Sequence, residues 1–133
     1  MQVSLSGLAA ERLRLDLVAS NLANVNTTRT PEGGPYQRRL AVFAERLEQA
    51  RAGRGELAGV RVAAVLKDAA PPRLVYDPSH PDANQDGYVA FPNVEVLREM
   101  VDMMSAARAY EANVTVFNAA KTMALRALEI GRG

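Results

Sequence analysis

Residues 93–130 read NVEVLREMVDMMSAARAYEANVTVFNAAKTMALRALEI. Stepping along this stretch by four and three residues in turn meets Val96, Met100, Met103, Ala107, Tyr110, Val114, Phe117, Lys121, Ala124 and Leu128. All but Lys121 are apolar, and no proline or glycine intervenes before Gly131. A stripe spaced 3.5 residues apart and sustained this long predicts one continuous helix that packs as coiled coils do. At 1.5 Å per residue it is about 55 Å long, more than a domain of this size covers by itself. A second row, Ser105, Ala109, Ala112, Val116 and Ala119, holds small side chains and valine, which allow close backbone approach. Between Met103 and Ala120 the charged residues are Arg108 and Glu111 alone. A helix on the surface of its own domain shows a charged face; this one has little charge in its middle. Two readings stand at this point: the central helix of a small bundle, or a helix surrounded by copies of its own chain.

The remaining 92 residues ahead of this stretch narrow the choice. The whole chain has 133 residues and a formal net charge of +1, so it is one domain or one domain with long arms. Basic residues are scattered, which gives no footprint for nucleic acid. Seven aromatic residues, no tryptophan and no cysteine exclude disulfides, thiolate catalysis and cysteine-held zinc. The longest uncharged run, Leu17 to Thr28, holds twelve residues and three asparagines, too short and too polar to insert in a membrane. Arg12 and Arg14 follow the first leucines with no long apolar run after them, so no cleavable signal is expected.

Residues 4–26 repeat the logic of the C-terminal stretch. Met1, Leu5, Leu8, Arg12, Leu15, Ala19 and Leu22 follow the same steps, with only Arg12 out of pattern. Leu13, Leu17 and Val18 widen the apolar face. Ser4 or Ser6 is placed to cap the start. Asn24, Asn26, Thr27, Thr28, Pro31 and Gly33-Gly34 mark the end. The asparagines at 21, 24 and 26 are read either as fraying and capping or as amides bonded to backbone where the helix meets the middle of the chain.

From Thr27 to Pro92 the period changes. Tyr36–Glu45 and Val60–Ala64 are predicted strands, the second by its alternation. Arg73–Tyr76 and Tyr88–Phe91 are short strand candidates bounded by prolines. Residues 46–59, rich in Ala, Gly and Arg, are expected to form a surface loop. The fold class is therefore α+β: long terminal helices pairing as an antiparallel coiled-coil hairpin, with a small β-rich domain inserted. Residues 1–26 and 93–133 form the helical part and 27–92 the β-rich part. A lone helical pair cannot cover stripes on several faces, and so small a β module is marginal alone. The surplus apolar surface calls for other chains.

Chemistry is scarce. Asp82, Asn84, Asp86 and Gly87 match the first half of a calcium loop, but Asn93 stands where the bidentate glutamate is needed and Pro92 breaks the exit helix. A polar turn in which Asp86-Gly87 launches a strand fits better. His80 is expected to be an exposed turn residue. Serines 4, 6, 20, 79 and 105 lack a glycine-flanked elbow. Glu95, Glu99 and Asp102 lie in the first turns of the long helix, where they offset its dipole. No enzyme and no cofactor is expected.

The run Ala19-Ser20-Asn21-Leu22-Ala23-Asn24-Val25-Asn26-Thr27 resembles the N-terminal motif of bacterial flagellar basal-body rod and hook proteins. The continuation TTRTPEGGPYQRR from Thr27, which includes Tyr36, is similar to the proximal rod C branch of that family. So are DPSHPDANQDGYVAFPNV from Asp77 and SAARAYEANVTVFNAAKTM from Ser105, with Arg108, Tyr110, Glu111 and Asn113. Three motifs in the right order cover nearly the whole chain apart from residues 46–59. One departure is the short stretch ahead of Leu5, where family members carry several more residues.

The resemblance implies a structural subunit whose terminal helices build an inner tube around the export channel, with the middle module outside. It implies assembly with copies of itself and other rod subunits in the periplasmic space, after passage through the flagellar type III export apparatus without cleavage. The expected assembly interface is Leu5, Leu8, Leu15, Leu22, Val96, Met100, Met103, Ala107, Tyr110, Val114, Phe117 and Leu128. Terminal segments of an isolated chain are then expected to order on assembly. A cytoplasmic coiled-coil adaptor or export chaperone is the competing reading, and a calcium-binding module the third.

Overall fold

The computed structural model describes residues 2–45 and 60–132. The element order is α1 (Gln2–Ala23), β1 (Arg39–Glu45), β2 (Val60–Lys67), β3 (Arg73–Tyr76), β4 (Tyr88–Phe91) and α2 (Val96–Gly131). Among the described residues the architecture is α+β, with two helices and two small antiparallel sheets. The loop expected at 46–59 lies outside the described residues. Among the described residues no helix is long and apolar enough to cross a membrane.

α1 is already helical at Ser4 and Ser6, so neither serine caps it, contrary to the expectation; the apolar pattern from Met1 onward lets helix form ahead of both. Its far end is held by an asparagine. The Asn24 Nδ2 donates to the Ser20 carbonyl at 2.9 Å, and Thr27 Oγ1 donates to Asn24 Oδ1 at 3.1 Å. The first adds a second donor to a carbonyl that also accepts the Asn24 N–H at 3.1 Å, and the second braces the Asn24 amide. The chain then turns through Gly33 and Gly34, both at positive φ.

β1 starts at Arg39 rather than Tyr36. Tyr36 is buried and its N–H donates to the Thr27 carbonyl, which turns residues 36–38 back toward α1. β1 pairs with β2 from Arg39↔Lys67 to Glu45↔Val60, with a bulge between Val42 and Phe43. β3 pairs with β4 from Arg73↔Phe91 to Tyr76↔Tyr88. Gly87 opens β4 at φ +84°, and a Cβ there would lie 2.8 Å from the Tyr76 ring. Only glycine suits both the backbone and the ring.

α1 packs on α2. The missing side chain of Gly7 faces the Asn113 amide, Arg14 lies 4.0 Å from Asp102, and Asn21 bonds Glu99. Rising numbers on α1 meet falling numbers on α2, so the two run in opposite directions. Ala10, Val18 and Ala106 are buried, as are Val89, Pro92 and Val94. With Gly7 opposite Asn113, Gln2, the first described residue of α1, falls near Asn118, and every residue from Lys121 to Arg132 is exposed.

Candidate functional site

The first feature is a polar junction where α1, the root of β1 and the start of α2 meet. Glu99 is 0% exposed and Asn21 1%. Glu99 Oε1 accepts from the Arg38 Nε, and Glu99 Oε2 accepts from Asn21 Nδ2 at 3.2 Å. The Asn21 amide also clamps the backbone of Arg39. Its Nδ2 donates to the Arg39 carbonyl at 2.9 Å and its Oδ1 accepts the Arg39 N–H at 2.9 Å. Tyr36 OH donates to the same Oδ1 at 2.8 Å.

Arg38, its side chain 12% exposed, forks further to Asp68 at 3.3 Å and Asp102 at 3.4 Å. Its N–H donates to Asn93 Oδ1 at 2.8 Å and its carbonyl accepts the Asp68 N–H at 2.7 Å. Asn93 Nδ2 returns the link to the carbonyls of Asp68 and Ala70. The Ala70 N–H, with Arg38, holds the Asp68 carboxyl below its usual range. A planar guanidinium with several donors is the side chain suited to bridge three carboxylates. Among the described residues no buried side-chain nitrogen or oxygen lacks a partner, the condition under which a buried charge is tolerated.

The acidic cluster at the start of α2 has a specific partner as well, with Glu99 in the first turn of the helix. Glu99 and Asp102 are partners of Arg38, while Glu95 is the N-cap residue and makes no side-chain capping bond. For Asn21 the backbone-bonding reading holds; Asn24 caps α1, and Asn26 is exposed. Beside the junction, a cleft of about 590 Å³ is lined by Ser20, Asn24, Thr27, Tyr36, Arg39 and Lys67, among others.

The second feature is the surface of α2. Met103, Ala107, Tyr110, Val114 and Phe117 are half-buried, whereas Val96, Met100 and Leu128 are exposed. On α1, Leu8, Leu15 and Leu22 are half-buried and Leu5 is exposed. No residue of the expected interface is fully covered; the fully buried residues of the two helices are Ser6, Ala10, Val18, Asn21, Glu99 and Ala106. The small-residue row also faces outward, with Ser105, Ala112, Val116 and Ala119 exposed. Of the other motif residues, Arg108 and Glu111 are exposed and Asn113 is half-buried against Gly7. Beyond α1 the helix shows Met123 (70% exposed), Leu125, Leu128 and Ile130 (81% exposed).

The turn at 77–87 is a closed polar turn. Asn84 Oδ1 accepts the N–H groups of Asp86 and Tyr88, and the Asp82 carboxylate is taken by Thr28 and Arg29. The Thr28 hydroxyl and Arg29 hold that carboxyl below its usual range. His80 is half-buried rather than exposed: its Nδ1 accepts the Asp82 N–H at 3.0 Å and its ring meets Phe91 edge-on.

A small α+β unit with a polar junction, and a long helix whose apolar side chains it does not cover, defines a protein of the assembly-subunit class. Residues 1–29 match the family described as flagella basal body rod protein, and residues 85–130 match flagellar basal body rod FlgEFG protein C-terminal. The flagellar basal-body rod protein FlgC of Borreliella burgdorferi is 47% identical to this chain, over 100% of it and 96% of the relative. FlgC of Bacillus subtilis is 46% identical, covering 99% and 96%, and FlgC of Salmonella typhimurium 45%, covering 96% and 92%. The chain belongs to the flagellar basal-body rod protein family.

Proposed function

We propose that this chain is a structural subunit of the bacterial flagellar basal-body rod, in its proximal part, and not an enzyme. The observation that carries this is full-length kinship with rod proteins named FlgC, in three bacteria as distant as those above. The uncovered third of α2 supports it, since a subunit of a polymer must leave apolar surface for its neighbours.

In this reading α1 and α2, residues 1–26 with 93–133, form a coiled-coil inner layer around the export channel. Residues 27–92 form the outer layer. Neighbours are other copies and other rod subunits, and the rod carries motor torque across the periplasm. The chain reaches that place through the flagellar type III export apparatus. Nothing in it calls for a cofactor or nucleic acid.

The test is cell fractionation followed by cryo-electron microscopy of basal bodies from a strain expressing this chain. Density for it in the rod is the expected result. A chain confined to the cytoplasm as small closed oligomers would favour the adaptor or export chaperone instead.

A further inference from the structure

Residues 36–39 are joined to both helices more tightly than a strand leaving a helical pair requires. Asn21 on α1 holds the Arg39 backbone by both its N–H and its carbonyl, in the manner of a strand partner. Arg38 reaches Glu99 and Asp102 on α2, and Asp68 just past the end of β2. The β1–β2 pair is thus gripped at both of its strand ends on the near side: β1 through Arg38 and Arg39, β2 through Asp68. Asn93, three residues ahead of α2, closes the ring on the Arg38 N–H and the Asp68 carbonyl.

We propose that this ring is a rigid root that sets the angle of the β1–β2 pair to the helices, with Arg38 and Asn21 as the positioning residues. Buried, fully partnered polar networks allow few alternative geometries, because any rotation leaves a desolvated donor or charge unpaired. An apolar contact of similar area would permit sliding. The use of such a root in a rod, keeping outer module and inner helices in fixed relation, rests on the reading above; the root itself does not.

The native chain has no cysteine, so a pair of spin labels can be placed without background. Ala63→Cys on β2 and Ser105→Cys on α2 are both exposed positions. Double electron–electron resonance on the purified full chain should give one narrow distance distribution. Arg38→Ala and Asn21→Ala should widen it at least twofold at unchanged helical circular dichroism, with Arg38→Lys between them and the parent. Equal widths in parent and variants would overturn the proposal, as would a broad distribution in the parent. Should either alanine variant lose helix, Asp68→Asn decides: it removes the Arg38–Asp68 ion pair and leaves the bonds of Arg38 and Arg39 to both helices in place, so a wider distribution with intact helices supports the root, whereas an unchanged width overturns it. Failure here leaves rod membership untouched, since that is decided by location in basal bodies.

Discussion

At the residue scale, stability concentrates at Glu99 and Arg38. Breaking a buried ion pair from one side costs most when the other charge is left alone; Arg38 keeps Asp68 and Asp102, so Glu99→Ala should cost about 3 kcal/mol, the low end for such a loss. Chemical denaturation is the check, and a loss under about 1 kcal/mol would contradict the burial. Asp68 adds a pH dependence. Its carboxyl is held below the usual value by the Ala70 N–H and Arg38. Its contribution is therefore complete above about pH 4, where the unfolded chain is already ionised, and is lost as pH falls through the lower folded value. Thermal melts at pH 6 and pH 3 should show a smaller acid loss in Asp68→Asn than in the parent. At Gly87, alanine meets both an unfavourable positive φ and the Tyr76 ring, a cost on the order of 1–2 kcal/mol. The turn itself was legible from Asp86-Gly87, whose residue types demand it. The junction was legible only through Asn21. Glu99 looks in sequence like any acid in a first helical turn, and its partner Arg38 is 61 residues away with no local pattern to link them.

At the element scale, the 36-residue helix and the short strands at 73–76 and 88–91 follow from periodicity and proline boundaries. Periodicity did not single out the fully buried positions of the two helices. The largest side chains mark the 3.5-residue stripe, but the fully buried residues of the two helices are Ser6, Ala10, Val18, Asn21, Glu99 and Ala106, which are small or hydrogen-bonded. The long apolar side chains are left half-covered or open. Val114 and Phe117, both half-buried, should tolerate aspartate in the folded chain at the cost of assembly. We expect Val114→Asp and Phe117→Asp to abolish swimming while the β-sheet circular dichroism signal stays as in the parent. Wild-type swimming by both variants would remove α2 from the assembly surface.

At the scale of the whole molecule, the chain divides into a part that holds itself and a part that does not. Among the described residues up to about Asn118 the helices and the polar junction supply one another's partners. From Lys121 onward none of the described residues covers α2, and an uncovered helical end of about three turns is marginal in water. Each of Met123, Leu125, Leu128 and Ile130 gains about 1.5–3 kcal/mol on full burial, enough together to order that end when a neighbour covers it. Both termini are expected to order on assembly, and the exposed end of α2 is where the gain is largest. The decisive measurement is amide hydrogen exchange on the dilute chain and on the same chain in purified rods. Fast exchange over residues 121–132 in the free chain, with strong protection there in the rod and protection of Val18–Asn21 in both, is the predicted result. Equal protection of residues 121–132 in the two states would contradict an account in which other chains cover the end of α2.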